Sequence, residues 1–269
     1  MEPHHEATPA TIMYNILTRK LLPRVQIVVS SREFSVSLLH ASARPRNIVA
    51  LTGFDRKDAE KLFIALIGVN GSKAWKKLKT VSRGLLHFIS IPVFLVLTAI
   101  VMSRDFSIPP PDTITGLFSR IMQILPSTEN IQERDRIIEI INKLKKMAHE
   151  GMIEGRVVFH ELDLKKYDLA MEDVRDLMIK VPGKNTLSRY LFESHHFILF
   201  FFHQSFQEFL SACFVSEMNI FGFFKFNRES LHEDRWSVVR KFTSGLIYAE
   251  SLSLNCDLHP SKSGLLQSF

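Results

Sequence analysis

The chain has few of the features that announce a function on sight. Its two cysteines, Cys213 and Cys256, follow no ligand or disulfide spacing. A disulfide framework is therefore excluded, and a reducing compartment, the cytoplasm, is expected. No G-x-x-x-x-G-K-[ST] loop occurs. Gly68-Val69-Asn70-Gly71-Ser72-Lys73 has the wrong glycine spacing and follows a helical pattern rather than a strand. Glu193, His195 and His196 fit no zinc template, so no metal site is expected. No nucleophile–base set stands out, and no residue is assigned as catalytic. There is no repeat at solenoid spacing, which rules out a leucine-rich array within the sequence. Met1 to Ala10 is too polar for a secretory signal. The charge excess is small, +6 from 34 basic and 28 acidic residues, and it is spread along the chain. It permits contact with nucleic acid or anionic lipid but does not argue for either.

What is present is apolar bulk. Hydrophobic residues make up 46% of the 269 residues, and phenylalanine alone occurs 22 times. That is enough for one large domain or two to three small ones. The longest apolar run, Leu85 to Met102, contains His87, Ser90, Pro92 and Thr98. It reads as a buried helix pair better than as a membrane span. Pro92 can open the second helix at its first turn, where a missing N–H costs nothing.

Taken in order, residues 12 to 22 read as the end of a helix that Pro23 stops. Val25 to Val29 reads as a β-branched strand of the parallel-sheet type, delivering Ser30, Ser31 and Arg32 at its carboxyl end. One strand is not a sheet, so this part is expected to be the truncated end of one. Asp55 is a good N-cap for a helix that should bury Ala59, Leu62, Phe63, Leu66 and Ile67 and close at Gly68. Lys73 to Lys79 reads as a solvated helix face anchored by Trp75. Ile108-Pro109-Pro110-Pro111 reads as a linker. Helices are expected over Thr113 to Leu125 and Glu133 to Glu150, the second carrying Ile137, Ile141, Leu144 and Ala148 and ending at Gly151. A short strand over Arg156 to Phe159 and another over Phe197 to Phe202 complete an order that suits a winged-helix module. Leu231 to Ala249 reads as a last amphipathic helix burying Val238, Phe242, Leu246 and Ala249. The tail from Asn255 reads as loose.

The rest is organised around Phe197 to Phe214. Its apolar run changes period at Phe206, after which Phe209, Leu210, Cys213 and Phe214 share one helix face. Cys213 reads as core on that face. Ser205 and Glu208 have capping-box spacing, so the helix is expected to start at Ser205. His203 then lies at a strand-to-helix junction. Two readings are open there: a histidine completing an anion site at a helix start, or one satisfied by local hydrogen bonds. The stretch by itself favours the second.

Several stretches together resemble the second half of the NACHT module of NOD-like receptors, within the STAND class of nucleotide-switch ATPases. Ile16-Leu17-Thr18-Arg19-Lys20-Leu21-Leu22-Pro23 with Val28-Val29-Ser30-Ser31-Arg32 resembles the sensor strand, with Ser30 where threonine is usual. Thr52-Gly53-Phe54-Asp55 with Ala59-Glu60-Lys61-Leu62-Phe63 is similar to the segment opening the first helical domain. Ile91-Pro92-Val93-Phe94-Leu95 resembles the adenine-side segment. Phe202-His203-Gln204-Ser205-Phe206-Gln207-Glu208-Phe209-Leu210-Ser211-Ala212 resembles the histidine motif of the winged-helix domain. Arg235 to Leu246 is similar to the start of the second helical domain. The resemblance covers about residues 12 to 249, and the histidine motif is its most specific part.

The resemblance implies a mostly α (α+β) chain in four parts. Residues 1–49 would be the remnant of a P-loop α/β nucleotide-binding domain and 50–111 a first helical domain. Residues 112–217 would be a winged-helix domain and 218–269 the start of a second helical domain. It implies ATP or ADP as cofactor of the complete module. Ser31, Arg32, Pro92 and His203 would be its cofactor-binding residues: Arg32 would sense the terminal phosphate, Pro92 would contact adenine, and His203 would bind the β-phosphate of ADP in the closed state. The family's phosphate loop and Mg²⁺-binding acidic motif are absent from these residues, so weak or no nucleotide binding and no independent ATPase activity are expected of them. Expected partners are other copies, other receptor subunits and a nucleotide-binding half, with no nucleic acid and no membrane. Two alternative functions remain. One is a winged-helix nucleic-acid binder using Lys143, Lys145, Lys146 and Arg156. The other is a membrane protein anchored through Leu85 to Met102.

Overall fold

The computed structural model describes residues 8–31, 36, 39–104, 107–127, 130–175, 177–182, 197–230 and 232–258. They fall in two units, Met1–Gly53 and Phe54–Phe269. In the first, helix α1 spans Pro9–Leu17, with Thr8 as N-cap and proline in its first turn. It ends before Pro23 is reached. Arg19 and Leu22 take positive φ, and the Lys20 and Leu21 amides both donate to the Asn15 carbonyl. The chain thus turns off the helix by its own backbone bonds.

The expected strand at Val25 to Val29 is not formed. The backbone bends at Val25 and runs on without a ladder partner, and Val28 is 98% exposed. A strand needs neighbours to pair with, and the described residues of this unit supply none. Residues 47–53 likewise belong to no helix or strand, with Val49 and Leu51 facing solvent.

The second unit is mostly helical around one three-stranded sheet. Helix α2 (Arg56–Ile67) starts where expected, with Asp55 Oδ1 accepting from the Asp58 amide at 2.7 Å, and closes at Gly68 with φ 77°. Leu66 is exposed rather than buried, because the stripe centres on Ala59 and Phe63. Helix α3 (Gly71–Val81) turns its lysines outward and buries Trp75 against Phe63, ring centroids 5.3 Å apart. Helix α4 (Pro92–Arg104) opens at Pro92 and is apolar nearly all round. Its Thr98 hydroxyl is spent on the Phe94 carbonyl, so the helix can be buried without an orphaned polar group. No helix among the described residues is long and apolar enough to cross a membrane.

Helix α5 (Ile114–Ile124) is capped by Thr113 and helix α6 (Ile131–Ile153) by Asn130. Gly151 does not end α6. A Cβ there would lie 2.7 Å from the Phe159 ring, so glycine is required for close packing, and the turn comes later at Gly155, φ 66°. The sheet follows in the order β1 (Phe159–His160), β3 (Phe197–Phe201), β2 (Met178–Pro182), both pairings antiparallel. Strand β1 is shorter and later than expected, and β2 was not anticipated. Short helices α7 (Glu161–Lys166) and α8 (Met171–Val174) lie between β1 and β2.

Helix α9 (Gln204–Ser216) follows β3 and packs against α6 on one side and α11 (Ser237–Leu258) on the other. Between them runs α10 (Ile220–Ser230), another element the sequence reading passed over. Helix α11 runs through Asn255, where a loose tail was expected. It starts after a 3-10 turn at Asp234–Trp236, which rotates its buried stripe to Trp236, Val239, Phe242 and Thr243. Val238 and Ala249, expected inside, face outward. At the heart of this bundle His149 is 6% exposed. Its Nδ1 lies 3.0 Å from Ser211 Oγ, and its ring stacks on Phe214 at 4.8 Å. Burial pushes the His149 pKa down to about 4. Cys213 is core, as its helix face indicated, and burial pushes its thiol up to about 12.

Candidate functional site

His203 is where the sheet meets α9. Strand β3 alternates buried and half-buried residues, placing Phe197, Leu199 and Phe201 in the core. Two residues later the chain bends into α9. Ser205 is not the N-cap. His203 is, with extended backbone and its Nδ1 accepting the Ser205 amide at 3.1 Å. Glu208, expected to complete a capping box, is 6% exposed and accepts from Gln204 Nε2 at 3.1 Å. With Nδ1 as acceptor, the ring proton is on Nε2, which makes the imidazole a donor at that edge. The local hydrogen bond that one reading required is therefore present, and it leaves the ring in the form an anion would use.

The second predicted residue, Pro92, opens α4 and is exposed. The segment before it is tied to the start of this unit by the Phe54 amide, which donates to the Ser90 carbonyl at 2.7 Å. Two residues into α4, Phe94 is 4% exposed, and its ring meets His203 edge-on with centroids 5.7 Å apart. Phe94 also meets Phe88 and Phe118, each at 6.1 Å. Phe118 in turn contacts Phe206, Phe209 and Phe242. An aromatic cluster thus ties the start of α4 to the start of α9. Phe94 is the contact that sequence reasoning missed. Its i+2 spacing from Pro92 was visible, but not the direction of its ring.

Ser31, the third predicted residue, is exposed just after that unpaired segment of the first unit. Arg32 lies outside the described residues. So do Glu193, His195 and His196. Among the described residues no group of three or more His, Cys, Asp or Glu side chains could hold a metal ion.

The basic residues proposed for a nucleic-acid face are largely neutralised within the domain. Lys143 pairs with Glu139 at 2.8 Å and Asp168 at 3.1 Å, and Lys145 with Glu217 at 2.6 Å. Arg156 meets both Glu154 and Asp163. Such pairs leave little charge to exchange for counterions.

Residues 139–181, from within α6 to near the end of β2, match the family model of the NOD2 winged helix domain. The chain is also 24% identical over 223 residues to rat NACHT, LRR and PYD domains-containing protein 6, covering 78% of this chain and 24% of that one. The human protein of the same name is 24% identical over 221 residues, with the same coverage. Human NACHT, LRR and PYD domains-containing protein 7 is 23% identical over 213 residues, covering 76% of this chain and 20% of that protein. The chain spans about a quarter of the length of the first two relatives. The winged-helix match, the three-stranded sheet ending in the histidine-capped helix, and relatives aligned across most of the chain make this chain similar to the C-terminal region of the NACHT module of NOD-like receptors.

Proposed function

We propose that this chain is the regulatory part of a nucleotide-dependent signalling switch that works in the cytoplasm. In that reading ATP or ADP is held jointly with a nucleotide-binding half. The Pro92 turn packs against adenine. The Nε2–H of His203 donates to a phosphate oxygen in the closed state. Ser31 and Arg32 report the terminal phosphate, and the divisions near residues 49, 111 and 217 separate the moving parts. The nucleotide supplies charge and a flat base. The chain's own contribution is to position a donor and a wall, and no bond-making step is assigned to its residues.

The observation that carries the reading is the edge-on contact of Phe94 with His203. It supports a shared site, because it couples the helix opened by Pro92 to the helix capped by the histidine. The geometry suits the nucleotide's chemistry in two further respects. The capped histidine presents Nε2–H as a donor, and donors at a helix start favour anions. A ligand contact made in one state shifts the balance between states. Losing the nucleotide would therefore favour an open form that associates with other copies or receptor subunits.

The test is calorimetry of ADP against two samples. One is this chain alone, the other is the chain joined to the nucleotide-binding half of a NOD-like receptor. Weak or no binding is expected in the first sample and Mg²⁺-dependent binding in the second. Tight binding by the chain alone would overturn the division of labour proposed here.

A further inference from the structure

At the far end of α4 a cleft of about 360 Å³ opens between that helix, the Ile108–Pro110 segment and α5. This is the low end of the size range of small-molecule sites. Its floor is apolar, with Val101 and Met102 buried beneath it. Its wall is held in place. Lys77 Nζ donates to the Ser107 and Ile108 carbonyls at 3.2 and 3.1 Å, and Ser82 Oγ donates to the Pro110 carbonyl at 2.9 Å. The cleft is therefore a fixed feature rather than a gap a loop could close at no cost.

Two arginines line it, Arg104 from the last turn of α4 and Arg120 from α5. Neither pairs with a carboxylate of the described residues. Among the described residues Arg120 donates only to the neutral Gln123 Oε1, at 3.3 Å. A cation at the carbonyl end of a helix stabilises that end, which accounts for Arg104 by itself. It does not account for Arg120, a full turn before the end of α5.

We infer that this cleft binds a small single-chain amphiphile carrying one anionic head. The apolar floor takes the chain, and the arginines that line the cleft take the head in the bidentate fashion arginine favours. The cleft lies about 18 Å along α4 from Pro92, at 1.5 Å per residue. The ligand is therefore separate from any nucleotide at the other end.

The experiment is calorimetric titration of the whole chain with decanoate, decyl phosphate and decanol. At least one of the two anions should bind tenfold or more tighter than decanol, and the tighter anion identifies the head group. Arg104→Gln with Arg120→Gln should bring the anions to the decanol level while the melting temperature drops by no more than about 3 °C, the loss of a charge at a helix end. Arg120→Lys should retain part of the affinity, and Ile124→Trp, which fills the cleft, should remove binding of all three. Equal affinity for decanol and both anions, no binding of either anion, or undiminished anion binding by the double arginine variant would each overturn the assignment.

Discussion

Replacing His203 separates its role in the fold from any role toward a ligand. The side chain does two structural things. Its Nδ1 caps α9 by accepting the Ser205 amide, and its ring packs edge-on against Phe94. Alanine removes both. Asparagine, among the best N-caps, restores the first alone. Losing a cap costs about 1 kcal/mol, and losing an aromatic pair costs roughly 0.5–1.5 kcal/mol beyond its buried area. His203→Ala should therefore cost about 2 kcal/mol and His203→Asn about 1 kcal/mol, or melting shifts of about 6 °C and 3 °C for a unit of this size. Urea titrations should show the same slope and stepped midpoints. If alanine and asparagine are equally destabilised, the cap contributes nothing and the account of this junction is wrong. Joined to a nucleotide-binding half, both variants lack the Nε2 donor. Each should weaken ADP by about 1.5–3 kcal/mol, the worth of a hydrogen bond to a charged acceptor. Stability would then fall in two steps and affinity in one. Affinity that follows the melting temperature instead would make the histidine purely structural.

Gly151→Ala should destabilise the winged-helix region by about 1 kcal/mol, because overpacking of roughly 1–3 kcal/mol against Phe159 exceeds the helix-propensity gain of about 1 kcal/mol. Adding Phe159→Leu should recover part of the loss, and a stabilised Gly151→Ala would refute the packing argument. His149, held near 4 by burial, stays neutral in the fold while the unfolded chain takes up a proton below about pH 6.5. Its contribution is complete above that pH and declines as pH falls toward 4, by about 3 kcal/mol in all. Denaturation of the parent and of His149→Phe between pH 7 and 4 should differ in slope, and parallel curves would rule this out. In the first unit, Val28→Lys with Leu51→Lys should lower self-association in sedimentation velocity without moving the melting temperature. An unchanged size distribution would show that these side chains are not the adhesive surface.

The parts legible in the sequence are those where one local rule decides. Asp55 and Gly68 bracket α2 by capping chemistry, Pro92 opens α4, and the period change at Phe206 marks the strand-to-helix switch. Where two rules compete, the sequence misleads. Ser205 and Glu208 satisfy the capping-box pattern, but a histidine two residues before Ser205 reaches the same amide and Glu208 is drawn inward. Gly151 looks like a helix stop, yet its reason lies across the domain in the Phe159 ring. Val25 to Val29 has strand composition, but composition cannot supply a neighbour to pair with. The start of α11 depends on a 3-10 turn, and a phase error of one residue exchanges Val238 for Val239. At the candidate site, Pro92 and His203 could be named from their motifs. Phe94, which links their helices, could not, because ring orientation is decided by tertiary packing.

Strand β3 is the central strand of its sheet, paired on both edges, and His203 follows it by two residues. Sliding β3 by one residue would exchange Phe197, Leu199 and Phe201 for Ile198, Phe200 and Phe202 and break the antiparallel pairing on both edges at once. The imidazole is therefore anchored to one of the least adjustable pieces of backbone in the chain. A phosphate that met it would find its donor already aimed, with no ordering entropy left to lose. Any motion that opens or closes such a site has to belong to whatever approaches His203, because the strand carrying it has no second position to occupy.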